Sequence, residues 1–157
     1  MNTGIDLFIA DLPGLEETES YVYGQVFKSH CEDNGGVFTT PSSQSEVDAI
    51  LQVKDIDSSC QYMIIAAYGA GPTNALTFYT DDTKAKQLTY KNWKQDYPWN
   101  DTDVANRCTF MDLVYNGVWS NESCDNRDNP LSGNQCGLCR ASPCGGCGGG
   151  KLAFLPT

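Results

Sequence analysis

Eight cysteines in 157 residues, running from Cys31 to Cys147, constrain this chain more than any other feature. An even number at this density is the pattern of a domain stapled by disulfides in an oxidising compartment, since reducing compartments keep thiols open. Two sequons, Asn100-Asp101-Thr102 and Asn121-Glu122-Ser123, agree with a secreted or extracellular location and mark Asn100 and Asn121 as candidate glycan acceptors. The first residues, MNTGIDLFIADLPG, hold no basic region followed by a long apolar one, so no secretory signal is visible. That leaves a removed leader, one module of a longer chain or an intracellular protein, and cysteine usage favours the first two.

Composition narrows the function. With 40% apolar and 19% charged residues the chain has the material for a core and is too apolar for intrinsic disorder. Its length fits one domain. Acidic residues outnumber basic ones 20 to 10, a net charge of −10, and no basic cluster occurs, which argues against nucleic acid as a partner. The longest apolar stretch, residues 62–70, is about half of what a membrane-spanning helix requires.

Periodicity places helices early and strands late. Residues 5–10 (IDLFIA) read as a strand ending in the turn signal Leu12-Pro13-Gly14. Over residues 18–32, Val22, Val26, Phe27 and Cys31 fall near helical spacing, and Asn34-Gly35-Gly36 follows as a stop. A second helix is predicted over residues 43–51. There Ser43 precedes Glu46 by three, so each side chain can satisfy the other's free backbone N–H, and Val47, Ile50 and Leu51 form the apolar stripe. Beyond Cys60 come a strand at 62–67, a Gly/Pro loop at 68–74, a strand at 76–80 and an aperiodic aromatic stretch at 88–103. Residues 108–114 and 117–119 read as a strand pair around Asn116-Gly117, and residues 140–150 as an irregular Gly/Cys-rich segment. This order gives an α+β domain over residues 1–140 with a tail at 141–157.

These residues resemble the C-type lectin-like domain, in its form without an extra amino-terminal disulfide. The motifs stand in family order: Cys31 before Gly35-Gly36-Val37, the capped helix, Tyr62-Met63-Ile64-Ile65 where the family has Trp-Ile-Gly-Leu, then Leu88-Thr89-Tyr90-Lys91-Asn92-Trp93 leading into the long loop. Cys108, Asn116-Gly117-Val118-Trp119, Cys124 and Gly137-Leu138-Cys139-Arg140 complete the series. The resemblance implies two helices, an antiparallel sheet with a long irregular loop region, and disulfides Cys108–Cys124 and Cys31–Cys139. Cys136 competes with Cys139 as the closing partner, Cys60 with Cys136 is one further pair, and Cys144 and Cys147 stay unassigned.

In the sugar-binding members, Ca²⁺ is held by carboxylate and amide oxygens while sugar hydroxyls complete its shell. Calcium takes 6 to 8 oxygens, several of them charged. Where the family has Glu-Pro-Asn this chain resembles it only at the proline, with Tyr97-Pro98-Trp99, and neither a phenol nor an indole replaces the lost ligands. Asn106 stands where the family has a carboxylate, and Ser120-Asn121 where it has Asn-Asp. The bond before Pro98 is expected to be cis, as in the family. No metal or other cofactor is therefore expected. Asp96, Asp101 and Asp103 read as a solvated acidic loop, with Asp101 and Asp103 the candidate ligands should a displaced calcium bind. Tyr97 and Trp99 read equally as exposed binding anchors and as loop residues packed onto Trp93 and Trp119.

Other chemistry is weaker. Cys136-x-x-Cys139 and Cys144-x-x-Cys147 have knuckle spacing for Zn²⁺, but disulfides account for them better. His30, the sole histidine, is beside Cys31 in a helix, where neighbours point apart, so no nucleophile and base pair and no enzyme is expected. The predicted function is an extracellular module that holds a protein or glycan independently of calcium, through Asp96, Tyr97, Trp99, Asp101, Asp103, Asn106, Ser120 and Asn121. Two alternatives stand beside it: a calcium-dependent lectin with altered ligands, and a homo-oligomeric or filamentous subunit of an extracellular matrix, cross-linked through its tail.

Overall fold

The computed structural model describes residues 6–11, 22–57, 60–71, 76–80, 86–99, 107–126, 129–131 and 134–142. Four strands are buried over most of their length: β1 (Leu7–Asp11), and, further on, Tyr62–Ile65, Cys108–Asp112 and Gln135–Ala141. Strands of that kind need cover on both faces. Helix α1 (Tyr23–Asp33) and helix α2 (Gln44–Asp57) supply it, and they flank the short strand β2 (Gly36–Phe38) in sequence.

The remaining strands are β3 (Tyr62–Ile65), β4 (Tyr68–Ala70), β5 (Thr77–Tyr79), β6 (Cys108–Asp112), β7 (Val118–Glu122) and β8 (Gln135–Ala141). Because successive side chains point to opposite faces, Leu7, Ile9, Met63, Met111 and Leu138 join one core with Val47 and Ile50 of α2. Phe8, Ile64, Phe110 and Cys139 join the other with Tyr23 and Phe27 of α1. Gly137 is where α1 crosses β8, and a Cβ there would overlap the Phe27 ring.

The main sheet runs β1-β8-β3-β6-β7. β8 pairs with β1 along one edge, while its other edge is shared by β3 and β2. The β3–β8 pair is parallel, so the sheet is mixed where an antiparallel one was expected. A parallel pair needs a long crossover, and here β4 to β7 supply it. β4 and β5 form a separate two-stranded sheet, so the first residues of the expected Gly/Pro loop are strand.

Local chemistry moves several boundaries. β6 ends at Asp112 rather than at Val114, because the Asp112 carboxylate accepts from the N–H groups of Val114 and Tyr115 and turns the chain. Asn116 and Gly117 both take positive φ, 60° and 71°, as a tight hairpin requires. α1 begins at Tyr23, whose N–H donates to Cys124 O at 2.9 Å, and the expected helical residues 18–21 are outside the described residues. β8 carries regular structure through Arg140 to Ala141, one residue beyond the expected domain boundary, since Val37 pairs with Arg140 and Gly36 with Ala141. Residues 143–157, with Cys144 and Cys147, are outside the described residues.

Among the described residues three disulfides cross this frame: Cys31–Cys139, Cys60–Cys136 and Cys108–Cys124. Cys136 and Cys139 lie an odd number of residues apart on β8, hence on opposite faces, so each meets a different partner.

Candidate functional site

Along the outer side of β7 the chain lays down the loop that precedes it. Asn92 Nδ2 donates to Gly117 O, the Trp119 N–H donates to Asn92 O, and the Lys94 N–H donates to Trp119 O, each at 2.8 Å. Two residues further, the Asn121 side chain engages Trp99 with both ends. The Trp99 N–H donates to Oδ1, and Nδ2 donates to the Trp99 carbonyl at 2.8 Å. Between these anchor points the Tyr97 N–H closes a turn onto Lys94 O at 2.9 Å, Asp96 takes φ 69°, and the Tyr97–Pro98 bond is cis.

This arrangement sorts the aromatics. Trp119 is fully buried, with Trp93 edge-on at 5.6 Å and Tyr90 at 5.8 Å, and Trp93 meets Phe78 at 4.9 Å. Trp99 is 46% exposed and its ring neighbour is Tyr97, at 6.3 Å. Lys94 Nζ stands 5.7 Å from the Tyr97 ring centre, within cation–π range. Asp96 is exposed, and Tyr97 and Ser120 are half-buried. Asn100, Asp101, Asp103 and Asn106 are outside the described residues.

Asn121 corrects the sequence reading. It has no exposed surface, and both its amide atoms bond to the Trp99 backbone, so in the folded chain it is neither a glycan acceptor nor a ligand contact. A glycan on Nδ2 would break the bond to the Trp99 carbonyl and have no path to solvent.

Sequence reasoning missed Glu122, which follows Asn121 on β7 and is 8% exposed. Burial pushes its carboxyl above the usual range, while a hydrogen bond with Ser120 and the charge of Lys94 pull the other way. The Tyr97 phenol is likewise raised, by burial and then by Glu122. Its signal was the period-two alternation with Ser120, but an acid inside a sequon reads as surface.

Among the described residues, those at the positions that the resemblance marks for calcium bring poor ligands. Tyr97 brings a phenol, Trp99 an indole, and Asn121 is already bound to the loop that calcium would organise. Among the described residues no group of three or more His, Cys, Asp or Glu side chains is placed to hold a metal.

These helices, this mixed sheet and the three disulfides make up the C-type lectin-like fold. The C-type lectin CEL-I from Cucumaria echinata is similar over 87% of this chain and 91% of its own, with 14% identity and a TM-score of 0.55. The carbohydrate-recognition domain of cow CD23, solved in the presence of a GlcNAc2Man3 oligosaccharide, covers 88% of each chain at 16% identity and a TM-score of 0.57. A calcium-independent type II antifreeze protein covers 85% of this chain and 82% of its own at 15% identity and a TM-score of 0.54. Likeness at these identities is one of fold. No protein-family model and no curated protein matches the chain in sequence. No helix of the described residues is long and apolar enough to cross a membrane.

Proposed function

We propose that the chain is an extracellular, non-catalytic binding module that holds a protein or glycan partner without calcium, through the loop presenting Tyr97 and Trp99. The observation that carries this reading is the Asn121 carboxamide clamped on the Trp99 backbone. A loop of this fold that no ion organises needs an internal substitute, and a buried amide with both ends engaged is one. Trp99, nearly half exposed beside Tyr97 and Lys94, then offers a stiff aromatic anchor of the kind that dominates binding energies. Three disulfides and the extracellular setting belong together. The similar antifreeze structure, itself described as calcium-independent, supports the same reading.

Thermal melts in excess Ca²⁺ and in chelator test it. A ligand that binds only the folded chain raises its melting temperature. The two curves are expected to superimpose. A rise with Ca²⁺ would instead favour a sugar site built on Asp101, Asp103, Asn106 and a released Asn121.

A further inference from the structure

We infer that the outer edge of β2 is a docking site for an extended, basic segment of a partner protein, which joins the sheet as one more strand. A groove of about 170 Å³ runs along that edge between α1 and β4, lined by Lys28, Glu32, Val37, Phe38, Ala66 and Tyr68, together with Thr80. It shares no residue with the Tyr97–Trp99–Asn121 group and does not rest on the function proposed there.

Hydrogen-bond alternation decides what the groove can hold. The Thr39 N–H donates to Leu138 O at 3.0 Å and the Ser142 N–H to Gly35 O at 3.4 Å, so the odd-numbered residues of this stretch bond to β8. Phe38, between them, turns its N–H and C=O the other way, toward the groove, which no β8 residue lines. Among the described residues neither group has a partner, and β2 pairs with β8 alone. A donor and an acceptor held side by side in the plane of a sheet are matched by one residue of an added strand.

The pairing is short. One residue further on, the Ala66 N–H donates to Thr39 O at 2.8 Å, so that stretch of edge is already taken. Tyr68 closes the same end: its ring stands edge-on to Phe38 at 6.1 Å, and a Cβ on Gly24 of α1 would be 3.1 Å from it. Toward the other end Val37 is 44% exposed and offers apolar surface to the incoming chain. The segment enters past Val37, exchanges two main-chain hydrogen bonds with Phe38 and stops at Ala66.

Charge sets the sign of the partner. Lys28 and Glu32 stand one turn apart on α1, Lys28 half-buried and Glu32 exposed, and exposed Asp33 follows Glu32. These two carboxylates lie in the last turn of α1, where the helix dipole is itself negative, and outweigh the one ammonium. The chain beyond Thr80, Asp81-Asp82-Thr83-Lys84-Ala85, is outside the described residues and carries one net negative charge, so it does not reverse the sign. A cationic side chain beside the pairing residue is thus favoured, and the net charge of −10 draws a basic partner from a distance.

The test is titration of the ¹⁵N-labelled protein with acetyl-Lys-Val-Thr-Val-Lys-amide, whose centre favours an extended chain. Its acidic counterpart, acetyl-Glu-Val-Thr-Val-Glu-amide, and two N-methylated forms of the basic peptide run in parallel. The basic peptide is expected to shift the Phe38 amide saturably and to slow its exchange with solvent. Alternate amides of a strand face the same edge, so N-methylation of one alternate set should abolish binding while methylation of the other leaves it intact. Glu32→Lys, at an exposed position, should weaken the basic peptide about fivefold while its thermal melt stays that of the parent. Shifts confined to the Trp99 and Asn121 amides, equal binding of the two N-methylated forms, equal binding of the acidic and basic peptides, or a Phe38 amide that moves with protein concentration alone would each overturn the assignment.

Discussion

A carboxamide mirrors a peptide group, and that is why Asn121 can hold Trp99 by N–H and C=O at once. Asn121→Ala would leave two backbone groups without partners in a half-buried place, at a cost of about 1–3 kcal/mol in urea unfolding. Asn121→Asp is the sharper probe: it restores the acceptor for the Trp99 N–H but sets a carboxylate against the Trp99 carbonyl. It is expected to destabilise at least as much as alanine, with faster amide exchange at Trp99 in both variants. Asp behaving like the parent would remove the clamp from the account. The sequon pattern hid this role, since three letters carry no burial. A readable signal was present two positions away: Trp119 faces the core, and on a strand Asn121 faces the same way.

Between elements, the start of α2 is tied to β8. The sequence predicted reciprocal capping of Ser43 and Glu46, and the Glu46 N–H does donate to Ser43 Oγ at 3.3 Å. The Glu46 carboxylate, however, accepts from the Ser42 N–H at 2.8 Å rather than from Ser43, and also from Arg140. The Arg140 guanidinium holds the Glu46 pKa down at about 2, against an ordinary 4.5. The stabilisation is therefore complete above pH 4.5 and is lost as pH falls toward 2, amounting to about 1–2 kcal/mol after solvent screening. Glu122, raised by burial, has the opposite slope: it weakens the fold as pH climbs above the ordinary carboxylate value. Stability against pH should then show Glu46→Gln losing most above pH 4.5, with the loss shrinking toward pH 2, and Glu122→Gln gaining above pH 4.5, and equal signs for the two variants there would contradict the geometry. Patterns internal to one segment were legible in this way: the α2 stripe, the Asn116-Gly117 turn, the apolar run of β3. What escaped depends on a distant partner, as β2 and β4 are three-residue strands defined by β8 and β5, and Arg140 reads as the start of an irregular segment until Val37 pairs with it.

For the molecule as a whole, the disulfides close loops of very different length, with separations of 108, 76 and 16 residues. Chain-entropy reasoning gives about 3 kcal/mol for the shortest and between 4 and 5, roughly, for the other two. Replacing Cys60 and Cys136 together by alanine should lower the urea midpoint more than replacing Cys108 and Cys124. The reverse order would mean that local packing around Cys108, not loop length, governs the loss. The two long pairs end on β8, as do the pairings of β1, β2 and β3. Ribosomes deliver a chain from its amino end, so that strand is the last of the sheet to emerge. Until it does, Cys31 and Cys60 have no native partner within reach and three earlier strands keep an open edge. A chain built this way carries unpaired thiols and open strand edges until β8 emerges, exposed to mispairing, and its yield in a cell will depend on what shields the unfinished sheet and corrects the early thiols.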